Sequence, residues 1–298
     1  MPSPELLALN ATLREQTAAT PLDLSWEEQR AGYETLGDLY PADAAAARTT
    51  LSLGGIPAVR FAGADADARR AVLYFHGGGY CVGGIVTHHA ITSRIALAAG
   101  CPVYALDYRL APEHPFPAPV EDAVAAYHAL LEEGLRPEHI VFAGDSAGGG
   151  LTVAAMLAAR EAGLPMPAAG VPISPWVDLT GELGWRDMDG AVDPMVRHAD
   201  LDSLTRAYMA GGDSRHPHAA PVHGDLSGLP PLLIQVGTAE ILLPDARVLA
   251  QRASAAGVEV FLEEEEGAPH VWHHFVATIP EAVTAIARIG AFVRERTT

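Results

Sequence analysis

Gly144-Asp145-Ser146-Ala147-Gly148 sets a serine among small residues. The pentapeptide follows an apolar run, HIVFAG (139–144), and precedes an Ala-rich stretch with helical spacing, 148–162. A strand that turns abruptly into a helix needs small neighbours. The turn leaves the serine hydroxyl near the helix N-terminus, where backbone N–H groups favour developing negative charge. The chemistry this suits is attack by Ser146 on a carbonyl carbon. The competing reading is an ordinary helix N-cap, for which Asp and Ser are both suited. In a chain with 29 glycines the G-x-S-x-G pattern alone is a weak signal. The strand–turn–helix context is what favours a nucleophile.

A second run, His76-Gly77-Gly78-Gly79, stands directly after the strand-like AVLYF (71–75). Three glycines at a strand end let backbone N–H groups approach a ligand oxygen without side-chain obstruction. The oxyanion of acyl transfer needs such donors, each worth about 3 kcal/mol of barrier. Gly77 and Gly78 are the expected loop donors. Ala147, the residue after the nucleophile, is the expected third. Read alone, the run is equally a flexible turn.

A serine nucleophile requires a base and an acid to orient it. His270 follows the strand-like VEVFLEE (258–264) and the breakers Gly267 and Pro269, so it is expected on a loop at the sheet's carboxyl edge. His273 and His274 fall in the helical run after it and are expected to be structural or surface residues. The acid should lie between Ser146 and His270, after the strand PLLIQVG (231–237), where Glu240 and Asp245 both stand. Glu240 is on the turn that leaves the strand. Asp245, behind Pro244, suits a first helical turn and its dipole. Glu263 to Glu266 read as a solvated edge, and Asp178 as a cap or turn residue.

The elements that must position these groups alternate. Strand-like runs at 51–62, 69–79, 101–108, 139–145, 168–175, 231–237 and 258–264 are separated by helical stretches at 87–99, 119–133, 148–162 and 244–256, with a last helix at 279–295. Such alternation implies an α/β fold with a mostly parallel sheet and helices on both faces, and ligands beyond the carboxyl ends of the strands. Val72 to Phe75 read as a central strand buried on both faces. Residues 5–19 and 25–37 have helical spacing, and the Ala-rich patch from Ala42 to Ala47 reads as a helix end. Residues 180–225 break the alternation, with one short helical stretch at 199–209. The expected organisation is N-terminal helices over 1–50 that form part of a cap, and a core over 51–298 with a cap insertion at about 180–225.

The chain has 298 residues and is 49% hydrophobic, enough for a sizeable core. Its 37 acidic and 19 basic residues give a net charge of −18, which argues against nucleic acid and anionic membrane surfaces as partners. Cys81 and Cys101 have no metal-type spacing and are expected to be free thiols. The N-terminal residues lack a signal-peptide pattern, and no apolar run approaches the roughly 20 residues that span a bilayer. A cytoplasmic location is the expectation.

Several longer motifs in order carry a resemblance. YFHGGGYCVGG (74–84), DYRLAPEHPFPAPVEDA (107–123), GDSAGGGL (144–151), ISPWVDLT (173–180), LPPLLIQVGTAEILLPDA (229–246) and PHVWHHF (269–275) are similar to the bacterial hormone-sensitive-lipase-like carboxylesterases. The resemblance runs from about residue 70 to the end. It implies an α/β-hydrolase core, with a helical cap from the N-terminus and from an insertion after the sixth strand. It implies hydrolysis of short- to medium-chain acyl esters or of lactones, no cofactor and no metal, a small ester as partner, and a possible homodimer. An amidase on the same site, or a non-catalytic binder on the same fold, are the alternatives. Carried over residue by residue, it makes Ser146 the nucleophile, His270 the base and Glu240 the acid, with Gly77, Gly78 and Ala147 as oxyanion donors. Asp107, Tyr108, Arg109 and Glu113 become scaffold residues. Trp185, Met188, Met195 and Tyr208, in the cap, are candidate pocket residues or equally cap-core packing. Two departures stand out: Pro244 replaces an acid of many relatives, and EEEEGA (263–268) replaces an apolar loop.

Overall fold

A computed structural model describes all 298 residues. Its centre is one eight-stranded sheet, made of β1 (Ala47–Leu53), β2 (Ile56–Ala62), β3 (Ala71–Phe75), β4 (Val103–Leu106), β5 (Ile140–Asp145), β6 (Ala169–Ile173), β7 (Leu232–Gly237) and β8 (Val260–Glu265). The order is β1-β2-β4-β3-β5-β6-β7-β8. β1 and β2 pair antiparallel, as do β2 and β4, and all other pairs are parallel. This is the expected mostly parallel sheet, and β3 is buried along its whole length.

Between the strands run α3 (Ile85–Ala99), α4 (Ala118–Glu132), α5 (Ala147–Glu161) and α7 (Leu243–Ala255), and α8 (Pro280–Arg296) closes the chain. Alternate residues of β3 face opposite layers. Leu73 and Phe75 join one core with residues of α4, α5 and α7. Val72 and Tyr74 join a second core with Ile91 and Ile95 of α3 and Ile289 and Val293 of α8. Period-two alternation on a doubly covered sheet produces this split.

Two readings of the N-terminal third need correction. Residues 51–62 are not one strand: Gly54 and Gly55, both with positive φ, make a tight turn that pairs Leu53 with Ile56. Left-handed backbone at both positions matches the twist of a two-residue hairpin. The patch from Ala42 to Ala47 is not a helix end. The helix before it stops at Leu39, and Ala47 opens β1 opposite Ala62. The sheet therefore begins before the boundary expected at residue 51.

The N-terminal segment forms α1 (Pro4–Ala19) and α2 (Trp26–Leu39), and the insertion between β6 and β7 carries α6 (His198–Met209). α1 and the insertion are hydrogen bonded. Thr17 Oγ1 donates to the Pro194 carbonyl (2.8 Å), Arg14 Nη2 to that of Val192 (3.1 Å), and Arg197 Nη1 to that of Thr20 (2.9 Å). The middle of α1 lies on the loop before His270, where Asn10 Nδ2 donates to the Gly267 carbonyl (2.8 Å). No helix is long and apolar enough to cross a membrane.

Candidate active site

β5 delivers Ser146 at the carboxyl edge of the sheet, and α5 starts at the next residue. The serine has φ 55° and ψ −118°, a conformation side chains avoid. The surroundings enforce it: Ser146 N–H donates to the Ile173 carbonyl at the end of β6 (2.8 Å), and the Ser146 carbonyl accepts from Trp176 N–H (2.9 Å). Gly148 is required by close approach, because a Cβ there would overlap the Phe75 carbonyl. Strain held by over-determined surroundings is typical of functional positions. Four of the five non-glycine residues with positive φ, namely Tyr80, Ser146, Ser174 and Val271, surround this edge.

His270 lies on the loop between β8 and α8 with little exposure, and its Nδ1 is 2.7 Å from Glu240 Oε2. Glu240 is fully buried. Its Oε1 accepts from Gly237 N–H (2.6 Å) and Ser174 Oγ (2.9 Å). Burial alone would depress the His270 imidazole. The hydrogen bond and charge of Glu240, with the charges of Asp193 and Asp145, outweigh it and raise the pKa above the ordinary value. The rival histidines have other settings. His273 Nε2 contacts Gln235 Oε1 (2.8 Å), and the His274 ring lies 4.9 Å from that of His88. Both are buried and pushed down to about 3, principally by desolvation, so both are held neutral.

The rival acids are also placed elsewhere. Asp245 sits in the first turn of α7 and accepts from the N–H groups of Val177 and Asp178, both at 2.9 Å. Asp178 is a turn residue, accepting from Thr180 N–H and Leu183 N–H (2.9 Å each).

The glycine loop corrects one assignment. Gly77 N–H is already engaged, donating to Asp145 Oδ1 (3.2 Å), with His88 Nε2 3.1 Å away. It is not free to meet an oxyanion. The N–H groups of Gly78 and Gly79 have no protein acceptor. Ala147, as the first residue of α5, has an N–H with no intrahelical partner. The loop is anchored from beneath by Asp145, which is buried and also accepts from Tyr74 Oη (2.7 Å) and contacts His88 Nε2 (3.1 Å). Burial opposes ionisation there, but the neighbouring His88 and these hydrogen bonds hold the carboxyl well below the usual range. Tyr108 stacks on His76, with centroids 4.2 Å apart, and donates to its carbonyl (2.7 Å). Arg109 pairs with Asp122, and Glu113 with Arg30 of α2. Asp107 N–H donates to the Pro57 carbonyl (2.9 Å).

Of the four candidate pocket residues, Trp185 and Tyr208 are fully buried. The Trp185 indole N–H donates to the Asp178 carbonyl (2.8 Å), and Tyr208 stacks on Tyr80 at 3.9 Å. Met188 and Met195 are half-buried, and they pack against different clusters. Sequence reasoning missed Leu204. This half-buried residue of α6 lies against Gly79, where a Cβ would come within 2.5 Å of its methyl groups. Its place on the apolar stripe with Leu201 and Tyr208 was the available signal. Asp193 and Ser174 were also missed: Ser174 stands within ISPWVDLT (173–180) with no role assigned to it, and no local pattern marks Asp193.

Comparison with known proteins gives the class. Residues 72–274 match the family described as alpha/beta hydrolase fold, and the chain belongs to it. It is 51% identical over 228 residues to an acetyl-hydrolase of Streptomyces hygroscopicus, covering 76% of each chain. Among solved structures it is similar to an esterase from the bacterial hormone-sensitive lipase family, with TM-score 0.96, 47% identity and all of both chains covered. It also resembles EstE5 soaked with p-nitrophenyl butyrate, with TM-score 0.94, 41% identity and 99% of each chain covered. Within the α/β-hydrolases, this chain is a member of the bacterial hormone-sensitive-lipase-like carboxylesterases.

Proposed function

We propose that the chain is a serine carboxylesterase that hydrolyses short- to medium-chain acyl esters through an acyl-enzyme on Ser146. One observation carries the reading: a strained serine, a buried Glu240–His270 pair and two unengaged loop N–H groups meet at one sheet edge. Ser146 Oγ attacks the ester carbonyl as His270 Nε2 takes its proton. Glu240 holds the Nδ1–H tautomer and stabilises the imidazolium. The oxyanion forms against the N–H groups of Gly78, Gly79 and Ala147. The alcohol leaves with the proton from His270. Water then repeats the sequence on the acyl-enzyme, activated by the same imidazole.

α1 and the insertion act as the cap, and Leu204 limits the space in front of the oxyanion loop. The butyrate ester used with EstE5 supports a short acyl group, as does the acetyl-hydrolase relative. The test is a panel of p-nitrophenyl esters from acetyl to palmitoyl, run on the wild type and Ser146→Ala. Turnover should peak at about C8 or shorter. The variant should fold normally, lose turnover to background and resist fluorophosphonate labelling. A folded Ser146→Ala protein within tenfold of wild type would remove the serine from the mechanism.

A further inference from the structure

We propose that Ser174 is a positioning residue for the acid–base pair: one hydroxyl fixes both the Glu240 carboxylate and the backbone that carries His270. The inference rests on the triad reading above. Ser174 immediately follows β6 and is fully buried. Its Oγ–H donates to Glu240 Oε1 at 2.9 Å, and the same oxygen accepts the N–H of Val271 at 3.1 Å. Val271 is the residue after His270, so the hydroxyl touches the acid directly and the base through one peptide. The preceding carbonyl, that of Ile173, accepts from Ser146 N–H. All three members of the proposed triad are therefore tied to residues 173 and 174.

The backbone supports this assignment. Ser174 has φ 42° and Val271 φ 49°. A β-branched residue such as valine is an outlier there, and the hydroxyl holds its N–H in place. A strained, buried non-glycine position persists where the side chain supplies something glycine cannot, and here that is the Oγ. With donor and acceptor both used, the hydroxyl is a two-sided clamp. Gly237 N–H provides the second donor to Oε1, at 2.6 Å. Together the two donors stop the carboxylate from rotating, and Oε2 stays on His270 Nδ1.

The test compares Ser174→Ala and Ser174→Gly with the wild type in kcat, KM, thermal unfolding and the pH dependence of kcat/KM. Glycine adopts φ 42° without strain, so Ser174→Gly removes the hydroxyl while relieving the backbone. Both variants should lose about 10- to 100-fold in kcat, the scale of a hydrogen bond to a charged group, with KM within about twofold. The acid limb of kcat/KM should move upward by about half a unit, because a carboxylate with one donor fewer is a stronger acceptor for His270. A serine that served packing alone would change the melting temperature and leave the limb in place. Wild-type kcat and an unmoved limb in folded Ser174→Gly would overturn the proposal. Ser146→Ala, assayed in parallel, separates the two claims: turnover surviving there defeats the triad reading, whereas unchanged Ser174 variants beside an inactive Ser146→Ala defeat only this one.

Discussion

Glu240 and Asp245 stand five positions apart after the same strand, both fully buried, yet the two stretches that carry them are built to different ends. Glu240 lies on the turn leaving β7. Both of its oxygens are occupied, one by Gly237 and Ser174 and the other by His270. Asp245 lies in the first turn of α7. It gives one oxygen to two N–H groups of the insertion, while its Oδ1 has no partner. Burial, with the charges of Asp178 and Glu240, pushes the Asp245 carboxyl well above the carboxylate range against the pull of those N–H groups. Burial alone therefore does not identify a working carboxylate. The donors on each oxygen, and the element holding the residue, do.

The comparison predicts a graded set of effects. Glu240→Gln should be the most damaging. An amide nitrogen facing His270 Nδ1 selects the wrong tautomer, leaving Nε2–H toward the nucleophile, and kcat should fall by about three to four orders of magnitude in a protein of normal stability. Steady-state kinetics with an activated ester measure this, and a loss below tenfold would reassign the acid.

Asp193 should come next. It lies in the insertion and accepts Ile241 N–H through Oδ2 (2.9 Å) and Met195 N–H (2.8 Å) and Val196 N–H (2.9 Å) through Oδ1. It is also one of three acids acting on His270, with Glu240 and Asp145, while neutral His274 lies nearby. The base works unprotonated, so the acid limb of kcat/KM should lie above the ordinary 6.5, and activity should fall as pH drops through it. Asp193→Asn removes one negative charge, so its limb should move down. A pH profile with an unmoved limb would break the link between cap and base.

Asp245→Asn should have the smallest effect. An acid whose pKa is raised by folding holds its proton more tightly in the native state. Its cost is therefore absent below the unfolded value of 3.8 and grows as pH rises toward the folded value. The amide has the shape of the carboxyl and carries no charge to desolvate. Asp245→Asn should keep turnover within about twofold and lose less stability than wild type between acid and alkaline pH. Thermal melts across pH check this, and a crippled enzyme would reverse the roles of the two acids.

The alternation of strands and helices was legible because β3, β5, β6 and β7 are short apolar runs with glycine or proline at or just after their ends, and the elbow was legible because strand, serine and helix are contiguous. Other features depended on contacts distant in sequence. Ala42 to Ala47 looks helical by propensity, but a turn closed by Ala46 N–H on the Asp43 carbonyl and the pairing of Ala47 with Ala62 of β2 decide its state. Gly77 looked like a donor equal to Gly78 until Asp145, 68 residues away, claimed its N–H. Ser174 and Asp193 are a serine and an aspartate in loops, and only the folded positions of Glu240, Ile241 and Val271 give them roles. Turn chemistry placed Glu240 on the turn after β7 and Asp245 in the first turn of α7, where both are found, because it governs local direction.

The attachments of α1 bear on how the protein is made. Ser3 N–H donates to Glu281 Oε1 (2.7 Å) across 278 residues of chain, and Asn10 reaches Gly267 across 257. α1 is made before its partners on the C-terminal side, and a 16-residue helix alone in water is marginal. Its partners emerge in two stages, first the insertion at Val192 to Arg197 and then the segment around Gly267 and Glu281, and until both are made its packing is incomplete. The later of these segments also supplies His270, so the helix completes its dock at the same stage of synthesis that brings the proposed base to Ser146. A nascent chain that stops short of this segment carries the proposed nucleophile without the base proposed to activate it.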